Sequence, residues 1–441
     1  MHYMEPLNIN DAAETIVRDY REYIFPAVTP FYDDHPLIVD RAKDSYLWDI
    51  EGNRYLDFFG GVLTISVGHC NDEVTERTIE QLKRVQHTST LYINEVMVRL
   101  AQKMAELTPG RLKKCLFTNS GSEANETAIM AARMYTGNSD VFTLRHAYAG
   151  RTMTTMSLTG HGTWRLGGVF DSHIKHVRNP YTYRAPVGLD EKRLIDLCVQ
   201  DLEETIATTT NGNIAAFMAE PIQGVGGFIV MPENYFKRIL PIVHEAGGVF
   251  ICDEVQTGWG RTGNHFCGIE HWGVEPDIIT FAKGTANGSP IGCTIATPDI
   301  AEAVKGLTFA TFGGNPVTMM AALATIEYIE KHRLPENAAI QGRLLRTCLQ
   351  DLQKSYDFIG ETRGMGLMQA MEIVESRRSG NKQPDPVRTI DLINAARRHG
   401  LLVGKGGLCG NVIRIAPPLN VTDQEIREGC DRLTLALADI A

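Results

Sequence analysis

The sequence predicts an α/β fold: a large domain with a mostly parallel sheet between helices, and a smaller α+β domain. Short apolar strands alternate with helical segments from about Phe59 to about Pro298, and such alternation is typical of a parallel sheet covered by helices. Longer helical segments follow, and the C-terminal part returns to short alternating elements. One apolar strand ends in Asp253, and another is followed at once by Lys283.

The N-terminal residues 1–58 are predicted to contribute to the smaller domain. A polar helical stretch over residues 10–23 precedes two strands, residues 42–49 and 55–59. A turn at Glu51-Gly-Asn53 joins these strands, since Gly and Asn are the residues that tight turns favour. The strands are expected to join the C-terminal elements.

The large domain is predicted over residues 59–315. Its strands are short runs rich in apolar residues, the pattern of strands buried on both faces: residues 114–118, 140–144, 215–219, 249–252 and 278–281. Residues 316–441 are predicted to form a linking helix and the C-terminal small domain. Helices are expected there at residues 316–332 and 337–355, up to residue 399 and from residue 423, and strands at residues 368–373, 401–403 and 412–415.

The composition indicates an ordinary globular protein. The chain has 441 residues, 43% of them hydrophobic and 22% charged, which suits two or three domains. A net charge of −10 without a block of one sign does not favour nucleic acid or a membrane surface as a partner. We see no apolar stretch of about 18 residues and no signal layout. Nine irregularly spaced cysteines predict neither a disulfide framework nor a metal site, so a cytoplasmic protein without a metal is expected.

Asp253 and Lys283 together indicate a cofactor. Each follows a buried strand at its carboxyl end, where open α/β sheets bind their ligands. Burying either charge is costly unless something pairs with it. Pyridoxal phosphate (PLP) uses both, a Schiff base with the lysine and a salt bridge with the carboxylate. Taken alone, each residue is also compatible with a strand-end charge at the surface.

A candidate phosphate site lies in Thr118-Asn-Ser-Gly-Ser-Glu-Ala-Asn125, between a strand and a strong helix-forming segment. Ser120, Gly121 and Ser122 are therefore expected at a helix N-terminus. Free N–H groups, hydroxyl donors and the positive end of the helix dipole suit a phosphate there. The alternative is that Ser122 only caps the helix, and the local sequence does not decide between the two.

A second glycine-rich run, Gly258-Trp-Gly-Arg-Thr-Gly263, matches the G-x-G-x-x-G pattern of dinucleotide sites. The residues after it lack helical periodicity. The nearby acidic residue, Asp253, precedes the glycines, whereas a dinucleotide site has one about 20 residues after them. An NAD-dependent oxidoreductase is therefore only a distant alternative.

Several segments together resemble the class III aminotransferases, which are fold-type I PLP enzymes. They occur in that family's order and spacing: Ser120-Gly-Ser-Glu-Ala-Asn125, Glu220-Pro-Ile-Gln-Gly224, Asp253-Glu-Val-Gln-Thr-Gly258, the segment ending at Lys283, and Phe312-Gly-Gly-Asn-Pro316. The resemblance extends from Trp48 to the final helix and implies a large sheet of the seven-stranded type. Within the class, the chain is most similar to the branch of alanine–glyoxylate aminotransferase 2 and ω-amino-acid aminotransferases, through residues 61–69, 363–367 and 401–404.

The resemblance implies how the cofactor is held. Lys283 would carry PLP as a Schiff base and later move the substrate's proton, while Asp253 would pair with the pyridine nitrogen. Tyr148 and Val255 would lie on the two faces of the ring, and Gln256 would lie near its hydroxyl. Other cofactor contacts are implied for Ser120, Gly121, Ser122 and Glu220, and for Thr311 of the partner subunit. That last contact implies a homodimer and leaves a tetramer open.

The substrate site is implied in the same way. Arg414 would clamp the substrate carboxylate, in a pocket that includes Val62 and Trp259. Two positions depart from other members of the class. Many have His after the stacking aromatic residue, where this chain has Ala149. Enzymes for ornithine or 4-aminobutyrate have a Glu that gates the arginine, where this chain has Val225, so such a specialist is disfavoured.

The predicted function is a ping-pong aminotransferase. It would move an amino group from an amino acid or ω-amino acid, such as alanine or β-alanine, to a 2-oxo acid such as pyruvate or glyoxylate. The main alternative is a PLP-dependent phospho-lyase acting on an amino-alcohol phosphate. That substrate would need extra cationic groups at the pocket mouth, for which Arg165, Lys175 and Arg178 are candidates.

Overall fold

The computed structural model describes residues 9–28, 31–32, 36–168, 170–380 and 382–441. Its helices are α1 (Ile9–Tyr23), α2 (Gly60–Leu63), α3 (Asp72–Arg84), α4 (Glu95–Leu107), α5 (Gly121–Thr136), α6 (Met153–Leu158), α7 (Glu191–Thr209), α8 (Tyr235–Glu245), α9 (Pro298–Ala303), α10 (Pro316–Lys331), α11 (Leu334–Ser355), α12 (Pro386–Arg398) and α13 (Asp423–Ala438). Its strands are β1 (Val39–Lys43), β2 (Tyr46–Asp49), β3 (Arg54–Asp57), β4 (Lys114–Thr118), β5 (Val141–Leu144), β6 (Ile174–Val177), β7 (Ala216–Ala219), β8 (Ile222–Gln223), β9 (Ile229–Val230), β10 (Val249–Asp253), β11 (Ile278–Phe281), β12 (Gly292–Ala296), β13 (Ile359–Met365), β14 (Met368–Ile373), β15 (Leu401–Leu402), β16 (Gly404–Gly406) and β17 (Val412–Ile415).

A seven-stranded sheet has the order β4-β12-β11-β10-β7-β5-β6. Its neighbouring strands are parallel except at β12, which runs antiparallel to both β4 and β11. Strands β7, β10 and β11 are buried along their whole length, as expected where helices cover both faces of a sheet. The predicted α/β fold with a mostly parallel sheet is therefore confirmed.

Strand β12 is missing from the predicted strands, because it begins with a glycine, a residue that strands disfavour. Gly292 pairs with Thr118 of β4. A Cβ atom at Gly292 would overlap the carbonyl oxygen of Ser120 and the hydroxyl of Thr118. The glycine therefore allows β12 to close against the turn that begins α5.

Gly292→Ala is expected to destabilise the protein by about 1–3 kcal/mol, the usual cost of overpacking a closed site, because the turn at Ser120 must move. Gly162→Ala is the matched control, since a Cβ atom there meets nothing within 4 Å. Urea unfolding should show a lower midpoint only for Gly292→Ala. Equal midpoints for the two variants would contradict the prediction.

Two four-stranded sheets complete the fold, and one of them joins the two ends of the chain. One has the order β1-β2-β3-β15 and the other the order β13-β14-β17-β16. Strand β3 pairs in parallel with β15, so strands from the N-terminal and C-terminal parts share one sheet. The division of the chain at residues 58 and 315 stays a prediction.

The prediction of one strand over residues 42–49 is wrong. Strands β1 and β2 form an antiparallel hairpin that turns at Asp44, whose φ is 52°. Asp tolerates this left-handed conformation better than most residues. The backbone of Asp44 also exchanges two hydrogen bonds with His69, with N···O distances of 2.9 and 2.7 Å. This long-range contact, which local sequence does not show, stabilises the turn.

Three further observations concern membranes, metals and thiols. Over the described ranges, no helix has both the length and the apolar character needed to cross a membrane. Within the same ranges, no group of three or more His, Cys, Asp or Glu side chains is placed to hold a metal ion. All nine cysteines are free thiols.

Candidate active site

The carboxyl edge of the large sheet brings Asp253 and Lys283 together. Strand β10 ends at Asp253, and β11 ends two residues before Lys283. The strands are parallel neighbours with Asp253 in register with Thr280, so both charged side chains emerge at one edge. Lys283 opens a 3-10 turn over Lys283–Ala286 with a φ of 44°. A non-glycine residue in this region is strained, and such strain is concentrated at functional sites.

A cavity of about 280 Å³ lies at this edge. It is lined by nine of the residues predicted to contact the cofactor: Ser120, Gly121, Ser122, Tyr148, Glu220, Asp253, Val255, Gln256 and Lys283. Asn119, Asn125, Thr64 and Ser289 also line it but were not predicted. Asn119 and Asn125 flank or belong to the phosphate motif and could have been inferred from it. Thr64 and Ser289 come from distant segments that carry no local signal.

Burial favours a Lys283 side chain that gives up its proton readily, although the carboxylates around it act in the opposite direction. Burial lowers the pKa of Lys283, whereas the nearby carboxylates of Asp253 and Glu220 raise it. Burial, together with the charge of Asp253, raises the pKa of Glu220 to about 8. A buried amine with a lowered pKa can act as a base near neutral pH.

Asp253 is buried, but hydrogen bonds support its ionised form. The N–H of Val255 donates to Oδ1 at 3.0 Å, and the side-chain amide of Asn125 donates to Oδ2 at 2.8 Å. Burial raises the pKa of Asp253, while these two donors and the charge of Lys283 lower it. The carboxylate can therefore pair with a cationic group inside the cavity.

The phosphate end is formed by the N-terminus of α5. Ser120 is the N-cap, and its hydroxyl accepts a hydrogen bond from the N–H of Glu123 at 3.2 Å. The alternative that Ser122 caps the helix is therefore wrong, since the Ser122 hydroxyl accepts from the N–H of Arg151 at 3.1 Å. The helix begins two residues earlier than that alternative requires. The N–H groups of Gly121 and Ser122 have no partner within the helix and suit an anion.

Small residues keep this end of the cavity open. A Cβ atom at Gly121 would lie 3.3 Å from both Val255 Cγ1 and Ala282 Cβ, so a larger residue would narrow the cavity.

Glu220 accepts hydrogen bonds from the N–H groups of Tyr148 at 3.1 Å and Gly224 at 2.8 Å. This buried carboxylate thereby holds the loop of Tyr148 beside the cavity.

The amide of Gln256 is positioned for a polar ligand. It packs directly on Gly224, where a Cβ atom would overlap it. Its Oε1 atom is buried and has no hydrogen-bond partner among the described residues. A buried polar atom without a partner is costly, and a hydroxyl group in the cavity would satisfy it.

Arg414 lies buried next to the cavity without an anionic partner. Its Nε donates to the carbonyl of Lys405 at 2.9 Å, and its Nη1 to the carbonyl of Gly224 at 3.3 Å. Its guanidinium lies 4.9 Å from the ring centroid of Phe59 and 5.5 Å from that of Phe228. Burial lowers the pKa of Arg414 to about 10. Within the described ranges Arg414 forms no salt bridge, although the charge of Glu220 partly opposes this fall in its pKa.

Three predicted site residues lie elsewhere. Trp259 is buried, and its Nε1 donates to the hydroxyl of Thr285 at 2.8 Å. It supports the Lys283 turn from the core and does not line the cavity, because a tight turn after β10 directs it inward. Val62 is exposed in a strained turn with a φ of 66°. Thr311 is exposed and does not line the cavity of its own chain.

The other glycine-rich run does not form a dinucleotide site. Residues 258–267 are turns and bends, followed by a 3-10 helix at Gly268–Trp272, so the helix that would bind a pyrophosphate is missing here. The cations considered for a phospho-lyase are also outside the cavity lining. Arg165 lies over the ring of Phe170, and Lys175 donates to the carbonyl of Ser172.

Comparison with known proteins identifies the family. The family model described as Aminotransferase class-III matches residues 28–437. The chain belongs to the class III aminotransferases. A curated relative from Arabidopsis thaliana, alanine–glyoxylate aminotransferase 2 homolog 2, is 41% identical over 96% of this chain and 87% of its own length.

Two other similar proteins have names that give different activities. A leucine/methionine racemase from Thermococcus litoralis is 37% identical over 92% of this chain and 91% of its own length. The solved structure of an (S)-enantioselective ω-transaminase from Thermomicrobium roseum has a TM-score of 0.90 and 35% identity, over 97% of this chain and 99% of that chain.

As a class III aminotransferase, this enzyme depends on PLP. The cavity fits that cofactor on three observations. It contains a lysine beside a hydrogen-bonded carboxylate, a helix N-terminus with free N–H groups, and a Gln256 oxygen that lacks a partner.

Proposed function

We propose that this class III aminotransferase transfers the amino group of an amino acid or ω-amino acid, such as alanine or β-alanine, to pyruvate or glyoxylate in a ping-pong reaction. The observation that carries the proposal is the buried guanidinium of Arg414. It lies beside the cavity of Lys283 and Asp253, and among the described residues its hydrogen-bond acceptors are backbone carbonyls. A carboxylate-bearing substrate would supply a salt-bridge partner for this guanidinium.

We propose that different groups of residues hold the different parts of PLP. Gly121, Ser122 and the Ser120 turn take the phosphate, and Asp253 takes the pyridine nitrogen. Tyr148 and Val255 lie on the two faces of the ring, Gln256 binds its hydroxyl, and Glu220 orders the loop beside it. Bound PLP supplies an electron sink for the pair left on the substrate Cα.

Lys283 is proposed to carry the proton. Its amine would hold PLP covalently in the resting enzyme and would be free while a substrate amine is bound. The Nζ atom, whose pKa burial lowers, would then act as the base that takes the proton from the substrate Cα and as the acid that gives it back. Water must reach the site afterwards to release the oxo acid, and the second oxo acid reverses the sequence.

Arg414 is proposed to orient the substrate carboxylate. The gating Glu of ornithine and 4-aminobutyrate enzymes is replaced by Val225, whose carbonyl accepts from the N–H of Gly407 at 2.9 Å. A Cβ atom at Gly406 would lie only 2.9 Å from Arg414 Cδ, so the glycine permits the arginine to pack closely. Among the described residues Arg414 forms no salt bridge, although the charge of Glu220 acts on it, so its guanidinium can bind an α-carboxylate.

We further propose a homodimer in which Thr311 of the partner subunit completes the phosphate site. Thr311 adjoins large apolar side chains that are exposed in the single chain: Leu91, Tyr92, Ile93 and Phe312, with Ile93 89% exposed. The two segments lie side by side, since the rings of His87 and Phe312 are 5.4 Å apart. An apolar surface of this kind favours association, and a second copy of the chain is the partner that the shared site requires.

A single-turnover experiment tests the proposed reaction. Full-length enzyme loaded with PLP is expected to form one equivalent of pyruvate per active site from alanine and then stop, because no acceptor returns the amino group. Addition of glyoxylate should restart it and yield glycine. The same experiment with β-alanine, followed by the glycine formed from glyoxylate, compares the two amino donors.

Three outcomes would contradict the proposed transamination. Release of phosphate and ammonia from an amino-alcohol phosphate, without pyruvate from alanine, would identify a phospho-lyase. Formation of D-alanine without pyruvate would identify a racemase, the activity named for the relative from Thermococcus litoralis. Pyruvate formation that continues without an acceptor would exclude the ping-pong sequence.

A further inference from the structure

Asn125 is a buried amide at the centre of the active site. It lies in the first turns of α5, and its side chain is almost inaccessible to solvent. Its Nδ2 donates to Asp253 Oδ2 at 2.8 Å and to the carbonyl of Ala149 at 2.8 Å. Its Oδ1 accepts from the hydroxyl of Thr280 at 2.7 Å. The two amide N–H bonds and the carbonyl oxygen therefore all have partners.

The partners fix which way the amide points. A backbone carbonyl and a carboxylate can only accept hydrogen bonds, so Nδ2 must face Ala149 and Asp253. A flipped amide would place Oδ1 against two oxygens. Thr280 holds the other end, because its hydroxyl donates to Oδ1. Thr280 itself is buried on β11, opposite Asp253 in the strand register.

The carboxylate of Asp253 is thereby held on both oxygens. Val255 N–H donates to Oδ1 at 3.0 Å, and Asn125 donates to Oδ2. Both donors favour the charged form. The remaining charged neighbours act in opposite directions, since Lys283 attracts the negative charge and Glu220 repels it. Asn125 is a neutral donor, so it supports the charge without competing with a cationic ring nitrogen for it.

We propose that Asn125, itself held by Thr280, is a positioning residue that keeps Asp253 ionised and aimed at the pyridine nitrogen of the cofactor. The inference rests on the role proposed above for Asp253. Through the Ala149 carbonyl, the same amide also anchors the segment next to Tyr148, so the carboxylate and the opposite wall of the ring site share one support.

A purely structural role for Asn125 predicts something different. In that case the amide only satisfies the carbonyl of Ala149. Its removal should then weaken ligand binding by the same factor whether or not Asp253 is present. The two roles are separated by a double-mutant cycle between Asn125 and Asp253, because only a contact that acts through Asp253 disappears with it.

The measurement is the Kd of full-length protein for pyridoxamine phosphate, read from quenching of tryptophan fluorescence. This ligand binds without attachment to Lys283, so the readout is independent of turnover. Asn125→Ala is expected to raise the Kd about tenfold, the usual effect of one hydrogen bond to a charged group. Asn125→Asp is expected to raise it more, because a second carboxylate beside Asp253 would favour protonation of the pair.

In the Asp253→Ala background, Asn125→Ala is expected to change the Kd less than about twofold, within the usual limits of additivity. Thr280→Val should raise the Kd of the wild type by about threefold through the freed amide oxygen, while Thr280→Ser, which keeps the hydroxyl, should not. If Asn125→Ala does not fold, the comparison of Thr280→Val with Thr280→Ser can replace it. In the Asp253→Ala background, Thr280→Val should no longer raise the Kd.

Equal effects of these substitutions with and without Asp253 would overturn the proposal and leave Asn125 and Thr280 as packing residues. A Kd that Asp253→Ala leaves unchanged would overturn the role of Asp253 in the proposed function, and the present inference with it. Weak binding by Asp253→Ala together with an unaffected Asn125→Ala would overturn the inference alone.

Discussion

Replacement of Lys283 by alanine is expected to lower steady-state transamination by at least about 10³-fold, the scale of losing a positioned general base. The residue lies at the carboxyl edge of β11 beside Asp253 and Glu220, and burial lowers its pKa. Among the described residues, no other lysine lines the cavity, so no neighbouring amine can take its place. The measurement is the initial rate of pyruvate formation from alanine and glyoxylate.

The variant should nevertheless still bind PLP without a covalent link, since the phosphate and ring contacts are unchanged. Borohydride reduction followed by peptide mass analysis should show the cofactor's mass on the wild-type peptide that contains Lys283 and none in the variant. Lys237→Ala, at an exposed lysine of α8, is the matched control and should behave as the wild type. Steady-state transamination retained by Lys283→Ala would refute the assignment of this base.

Arg414→Gln is expected to lower kcat/KM for alanine about 10²-fold. Two charge-assisted hydrogen bonds to a carboxylate contribute about 1.5–3 kcal/mol each, and each 1.36 kcal/mol corresponds to a factor of ten. Part of that contribution is retained by the neutral amide of Gln. Arg414→Lys should fall between Gln and the wild type, because it keeps the charge but loses the planar pair of donors.

The control for Arg414 is a donor without a carboxylate, such as 1-phenylethylamine, assayed with the same variants. Its kcat/KM should change by less than about threefold, since it makes no use of the guanidinium. Because Arg414 also donates to the carbonyls of Lys405 and Gly224, the Tm of each variant must be compared with the wild type. An equal loss for both donors would show that Arg414 supports the fold of the loop and does not select the substrate.

Local sequence was sufficient wherever one segment determines the structure by itself. Strands β4 and β11 have the predicted bounds, because each is a short run rich in apolar residues, a pattern typical of a strand in an α/β sheet. The positions of Asp253 and Lys283 follow from the same rule, since the carboxyl ends of parallel strands meet at one edge. The Ser120 turn was also located correctly, although its capping residue was not, because capping depends on one side-chain torsion.

Features that depend on distant contacts were not predictable in this way. The turn at Asp44 depends on backbone hydrogen bonds to His69, and strand β12 closes on Ser120 only because Gly292 has no side chain. Trp259 follows the motif of Asp253 in sequence but turns into the core to bond Thr285. In each case the partner is far away along the chain, so no periodicity or spacing records it.

The sequence by itself determined the α/β class and the placement of Asp253 and Lys283 at the carboxyl ends of their strands. Through the resemblance, it also determined the family and its cofactor. These follow from local patterns of burial and from motifs whose spacing is preserved along the chain. The tertiary structure alone decided which groups act on one another: Asn125 and Thr280 on Asp253, and the carbonyls of Lys405 and Gly224 on Arg414. Hydrogen bonds and charges act between atoms a few ångströms apart in space. The number of residues between two groups along the chain does not give that distance.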